Sequence, residues 1–447
     1  MDRERIEIEN EILDKLTGKI FLLQDLATKH EVIFQAFLEV YNSPRCQKFV
    51  RKSKGLELEG FFKEFMSYGL IEEFLEDPSV EDIMINYLSS IFVHRAGEGM
   101  IKTERRFETR YELDLLIKKL IVFSGRKVIK SINNVELAEI KGRANIVFSP
   151  FGPQITITRA KERPLSMVDL IRARSIDPYL GALFWLYLEG MGGIKCANIL
   201  ISGGPGTGKT TLLNALLNFF PANDRVIVIE DTLELNTELE ENCSRLESDD
   251  ESSLADLVKN SLRMRPDRIV VGEVRGMEAQ DLMTAMNIGK YCLGTLHANT
   301  ARETVIRLTN EPMNVPQMLV NLVNVILIMR RYVINGKVRR VVSEVVETAG
   351  MERETVLLST FYGYHMANDE FKDYGVSSLF RDQLAKISGK NPREILEELH
   401  RRSIVLQKMS ERGITDFKEV TALCRLYVSD PGMAYETLLI DKKDLLI

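Results

Sequence analysis

The sequence predicts an α/β protein: a mainly parallel β-sheet covered on both faces by helices, with an α+β domain before it and helical extensions at both ends. Three observations predict it. Five short apolar runs, ANILIS (197–202), RVIVIED (225–231), RIVVGE (268–273), CLGTLH (292–297) and NVILIM (324–329), alternate with helical segments. Near-continuous Val/Ile/Leu runs of this kind mark strands buried on both faces. They appear only after Ile194, whereas the region before them carries the alternating pattern of half-buried strands. Finally, 447 residues at about 150 per domain suggest three domains, or two with an extension.

Taken in order, residues 1–60 alternate charged and apolar positions at helical spacing and reach the basic run Arg45, Lys48, Arg51, Lys52, Lys54. They read as a helical extension with a solvated face. Residues 61–160 read as the α+β domain. GLIEEFLEDPSVEDIMINYLSSIFVHR predicts a short helix, a turn at Asp77-Pro78, then strands carrying Ile83, Ile85, Ile91 and Val93. A helix over Tyr111 to Phe123 and the strand pair GRANIVFSP and QITITRA complete it. The segment 161–175, inside KERPLSMVDLIRARSIDP with a proline towards each end, reads as a linker. Residues 176–350 hold the parallel sheet, and 351–447 read as charged and mainly helical.

Composition removes several classes. Apolar residues at 45% and charged residues at 28% are ordinary for a globular chain and exclude a disordered or collagen-like one. Five scattered cysteines without a CxxC pair offer neither a zinc ribbon nor a disulfide framework. The 59 Lys+Arg against 65 Asp+Glu give a net charge of −6, a poor match to a protein that coats nucleic acid. The charged start MDRERIEIENEILDKL has no apolar signal core. The longest apolar stretch, Met318 to Met329, is broken by Asn321 and Asn324 and falls short of the roughly 20 residues that cross a bilayer. The expectation is a soluble, cytoplasmic protein that meets the membrane only through a partner.

The chemistry gathers at the strand ends, where ligands sit in parallel sheets. Gly203-Gly204-Pro205-Gly206-Thr207-Gly208-Lys209-Thr210 matches GxxxxGK[ST] and lies between an apolar strand and the helical run TTLLNALLNFF, which starts at Thr210-Thr211. Its glycines let backbone N–H groups curl around phosphate oxygens, Lys209 reaches the β/γ-phosphates, and the Thr210 hydroxyl ligates magnesium. Glu273 closes RIVVGE, where a carboxylate can face that ion or its water. Glu230, Asp231 and Glu234 form an acidic cluster after another strand, suited to accepting a proton from water. His297 ends GTLH, and a neutral imidazole there can sense phosphate.

The order GPGTGKTTLLNAL, IEDTLEL, LRMRPDRIVVGEVRG, GTLHANT resembles the secretion and pilus ATPase superfamily of type II and type IV systems, which includes pilus motors and VirB11-like and CpaF-like ATPases. GLIEEFLEDPSVEDIMIN resembles the same family's N-terminal region. The resemblance implies a RecA-like P-loop NTPase core that binds ATP and Mg2+. Carried over residue by residue, it places the phosphate loop on Gly203 to Thr210, the catalytic glutamate on Glu234, the Walker B carboxylate on Glu273 and the histidine-box histidine on His297. It matches the N-terminal arginines that meet the phosphates to Arg143 and Arg159, with Arg265 and Arg275 flanking the Walker B strand. Two features depart from the pattern: Lys290 stands where many pilus motors have a first histidine, and the four-cysteine module of bacterial assembly ATPases is missing. The tail KMSERGITDFKEVTALCRLYVSDPG resembles archaeal members, including the archaellum motor. The implied protein is a ring, by family resemblance a homohexamer, that hydrolyses ATP and drives a polytopic membrane platform protein. A RecA-type nucleic-acid-translocating ATPase is the competing expectation, and it would call for a basic channel with stacking aromatics. A nucleotide-occupied ring without turnover is the third.

Overall fold

A computed structural model describes residues 3–440 apart from 22–24, 54–56, 96–97, 128, 138, 141, 160–162, 236–241, 250, 335–336 and 354. The chain divides into two compact units, residues 1–162 and 163–447. The boundary expected at 160/161 and the basic-run residue Lys54 lie outside the described residues.

In the first unit, helices α1 (Arg3–Leu16), α2 (Leu26–Tyr41), α3 (Pro44–Lys52), α4 (Leu58–Met66), α5 (Glu72–Glu76) and α6 (Arg110–Phe123) accompany one six-stranded antiparallel sheet. Its strands are β1 (Val80–Asn86), β2 (Phe92–Arg95), β3 (Gly99–Lys102), β4 (Ile132–Leu137), β5 (Gly142–Ser149) and β6 (Gly152–Arg159), in the order β3-β2-β1-β6-β5-β4. One face buries Ile83, Ile85, Ala144, Ile146, Ile155 and Ile157, and the same core takes in Ile8, Ile12, Phe37 and Phe49 from residues 1–60. The segment read as an extension therefore shares the core of the α+β unit. A buried ion pair between Glu9 on α1 and Lys119 on α6 (2.8 Å) reinforces that union. Lys119 also donates to the Phe65 carbonyl at 2.7 Å, so its charge is satisfied inside the core as a buried cation requires.

The second unit has strands β7 (Ile199–Gly203), β8 (Val226–Glu230), β9 (Cys243–Glu247), β10 (Arg268–Val271), β11 (Tyr291–Leu296), β12 (Val325–Ile334), β13 (Lys337–Glu352), β14 (Thr355–His365) and β15 (Glu370–Asp373). They form one sheet in the order β15-β14-β13-β12-β7-β11-β10-β8-β9. From β12 to β9 every neighbour is parallel, and β13 to β15 continue the sheet antiparallel. The strand that enters the phosphate loop, β7, is flanked by β12 and β11, with β11 inserted between it and β10. This is the order of a RecA-like P-loop core.

Helices cover both faces. On one lie α7 (Met167–Arg172), α8 (Pro178–Gly193), α9 (Lys209–Leu216) and most of the C-terminal helices; on the other lie α10 (Leu254–Ser261), α11 (Glu278–Asn287), α12 (Ala301–Thr309) and α13 (Gln317–Val320). Two expectations need correction. The segment read as a linker contains α7, which opens with a capping box between Ser166 and Asp169 and buries Met167, Val168 and Leu170 in the second unit's core. Reciprocal capping satisfies two otherwise orphaned N–H groups, so a six-residue helix can persist once its apolar side is packed. Secondly, the stretch after residue 351 begins with strands β14 and β15, and helices α14 (Leu379–Ser388), α15 (Pro392–Glu411), α16 (Phe417–Ser429) and α17 (Pro431–Leu438) follow only afterwards. These helices are bound into the main core. Arg402 on α15 meets Glu189 of α8 at 2.7 Å and lies over the Trp185 ring. Glu347 on β13 accepts from Tyr187, Ser378 and the backbone of Leu379.

Candidate active site

The phosphate loop takes the shape its glycines permit. Gly206 and Gly208 have φ of 68° and 94°, a region costly for residues with a Cβ. Gly203 is excluded from substitution by space instead: a Cβ there would lie 2.7 Å from both the Met329 carbonyl and Thr207 Oγ1. The turn is pinned by Thr207 Oγ1 donating to the Gly204 carbonyl at 2.8 Å. Gly208 then caps α9, whose first residues are Lys209, Thr210 and Thr211, so the helix N-terminus and its free N–H groups face the loop.

Lys209 is 8% exposed, and its Nζ lies 3.1 Å from the Gly204 carbonyl and 3.3 Å from His297 Nδ1. The other imidazole nitrogen, Nε2, lies 3.3 Å from Glu273 Oε1. A lysine ammonium only donates and a carboxylate only accepts, so this chain of contacts fixes the tautomer: Nδ1 accepts and Nε2 carries the proton. Burial, helped by the Lys209 cation, lowers the His297 pKa against the opposing pull of Glu273. Burial likewise lowers that of Lys209, with Glu273 again opposing. The structure thus brings Lys209, His297 and Glu273 into one line at the mouth of the loop.

Glu273 is held there by backbone bonds on both sides. Gly272 N donates to Ile229 O at 2.9 Å and Val274 N to Thr295 O at 2.7 Å, while Thr295 Oγ1 donates to Gly272 O at 2.6 Å. Across from it, Glu230 is 2% exposed and accepts from the N–H groups of Glu234 and Leu235, with Arg245 at 3.9 Å. A Cβ on Gly272 would approach Glu230 Cγ to 2.9 Å, so Gly272 makes room for it. Glu230 is committed to holding the backbone of the acidic segment, and Glu234 is the member of the cluster exposed to solvent. Asp231 takes an ion pair with Arg275 and a hydrogen bond from Ser248. Arg265 is exposed and precedes β10 at a φ of 55°.

The two N-terminal arginines are separated by the register of their sheet. Gly142 pairs with Arg159 and Arg143 with Thr158, and directly paired residues share a face. Arg159 therefore lies on the side of Ile155 and Ile157, where its guanidinium donates to the carbonyls of Asp77 and Val80. Arg143 lies on the opposite, exposed side. The alternation thus sets the two arginines on opposite faces of the sheet. Arg159→Ala should lower the melting temperature of the protein more than Arg143→Ala does, because its two bonds to carbonyls are half-buried and Arg143 is exposed. Equal melting of the two variants by calorimetry would contradict the assignment.

Comparison with known proteins gives the family. The family model described as "Type II/IV secretion system protein" matches residues 187–357. Conjugal transfer protein TrbB of Rhizobium radiobacter is similar, with 30% identity over 247 residues that cover 52% of this chain and 72% of that protein. The chain belongs to the type II/IV secretion system protein family. The uncharacterized protein MJ0900 of Methanocaldococcus jannaschii is also similar, 32% identical over 374 residues that cover 80% of this chain and 67% of MJ0900. The X-ray structure of the Legionella pneumophila ATPase DotB aligns at 18% identity over 86% of this chain and 94% of DotB, with a TM-score of 0.45. The stretch matched by the family model spans the phosphate loop, Glu230, Glu273 and His297.

Proposed function

We propose that this protein is the ATP-hydrolysing motor of a type II or type IV secretion, pilus or archaellum assembly system. In this reading it works as a homohexameric ring and drives a polytopic membrane platform protein. The observation that supports it best is the line from Lys209 through His297 to Glu273 at the phosphate loop. Such an arrangement sets a cation, a neutral relay and a carboxylate where charge develops during phosphoryl transfer.

Each residue has a distinct task. Lys209 neutralises the β- and γ-phosphates, and the N–H groups of Gly206 to Thr211 cradle them. Glu234 orients the attacking water and draws off its proton. His297 reports the position of Glu273 to the lysine. Thr210 and Glu273 would hold Mg2+, which supplies electrostatic stabilisation of the transferring phosphoryl group. Among the described residues no cluster of three or more His, Cys, Asp or Glu is built to hold a metal. An ion bound by one hydroxyl, one carboxylate, water and substrate phosphates is the mode that magnesium favours. The arginines that the family resemblance assigns to neutralising phosphate charge are Arg143 and Arg159.

Phosphate release from the purified protein at saturating Mg-ATP tests the reading, and turnover that appears only with added DNA at low salt would favour the nucleic-acid motor instead. Among the described residues no helix is long and apolar enough to cross a membrane. Association with membranes is accordingly expected to appear when the platform partner is co-expressed. Equal membrane recovery with and without that partner, by fractionation, would count against it.

A further inference from the structure

The hairpin of β12 and β13 carries four arginines, in MRRYVINGKVRR (329–340), and their partners differ by face. Arg330 meets Glu344 at 2.8 Å, and Arg339 pairs with Asp369. On the other face Arg331 stands directly opposite Arg340 in the ladder. Both are exposed, and among the described residues Arg331 has no hydrogen-bonding or ionic partner. Like charges opposed across a strand pair repel, so this face lacks the neutralisation that the other one has.

The same face meets the phosphate loop. Arg340 Nε donates to the Gly206 carbonyl at 2.9 Å, and a Cβ on Gly208 would lie 3.4 Å from Arg340 Cδ and 3.6 Å from Met329 Cε. Strand β12 pairs with β7 only as far as Met329 opposite Gly203, so Arg331 and its neighbours run on past the strand end, beside the loop. The sheet order sets the direction of a bound polyphosphate. Glu273 and His297 mark its terminal end and follow β10 and β11, on one side of β7, whereas β12 and β13 lie on the other.

We propose that Arg331 and Arg340 grip the nucleoside end of the bound nucleotide, its α-phosphate with the attached ribose. The proposal rests on the phosphate-loop reading above and deepens it. A guanidinium fork offers paired donors to phosphate oxygens, and an anion between two opposed cations removes their repulsion. Since the α-phosphate is common to ATP and ADP, the pair sets affinity and leaves the chemical step alone, as uniform binding does.

The test uses the full-length protein and the double variant R331Q/R340Q. ADP affinity is measured by titration calorimetry, and Mg-ATP turnover by phosphate release. The expected result is ADP binding weaker by about tenfold, a rise in KM for Mg-ATP by the same factor and kcat within about twofold. Arg340→Lys, which keeps the charge and loses the fork, should fall between. Unchanged ADP affinity would overturn the proposal, as would a lowered kcat with KM unmoved. A wild-type protein that binds ADP but never releases phosphate would refute the ATPase reading and leave this one standing, because ADP affinity is read without turnover.

Discussion

Lys209→Ala is expected to leave no ATP hydrolysis above background. The side chain is almost fully buried, and its ammonium is held between the Gly204 carbonyl and His297 Nδ1, so its position is fixed before nucleotide arrives. That preorganisation is what makes a cation effective against charge that develops on the phosphates. Removing one such donor from a preorganised site commonly lowers kcat by about 100- to 1,000-fold. Here the loss is compounded, because the alanine variant also strips His297 of its donor and frees the imidazole to leave Glu273. ADP affinity should fall as well, since the β-phosphate loses its counter-charge. Phosphate release and calorimetry on the purified variant check both, and turnover at the wild-type rate would refute the assignment of this loop to phosphate binding.

Five of the six parallel strands were legible because each is buried on both faces and therefore written as a near-continuous apolar run, whereas β9, CSRLE, is only half-buried and escaped. All five runs became strands: β7, β8, β10, β11 and β12. The phosphate loop was legible for a different reason, since its backbone conformation is available only to glycine at fixed spacing. What escaped is what depends on neighbours remote in sequence. Strand β14 is TVLLSTFYGYH, and its burial follows from its pairing with β13, which no local pattern announces. Helix α7 was hidden by flanking prolines, although its Ser-x-x-Asp cap was visible. Arg331 and Arg340 are nine positions apart and meet only through the ladder of one hairpin. The division of labour inside the acidic cluster was equally invisible. Nothing in IEDTLEL tells the buried backbone acceptor from the exposed carboxylate until Glu230 is seen against Gly272.

That division leads to the second large effect. Glu234→Gln should lower kcat by about 100-fold or more, the usual scale for losing a positioned base, with ADP affinity retained. The glutamine keeps the size and hydrogen-bonding reach of the side chain and removes only its capacity to take a proton. Glu230→Gln should behave differently. Its carbonyl oxygen can still accept from the N–H groups of Glu234 and Leu235, so the segment keeps its path, but the bond loses its charge and the carboxylate no longer answers Arg245. The cost is on the order of 1 kcal/mol of stability for weakening hydrogen bonds to a buried charged group, which a melting curve reads as a shift of a few degrees, with most of kcat preserved. The two variants thus separate catalysis from scaffolding within five residues of chain. Should Glu230→Gln be the more damaging to kcat while melting like the wild type, the water would have to be activated by the buried carboxylate. The acidic segment would then need to rearrange on binding ATP, because in the present geometry Glu230 spends its oxygens on the backbone.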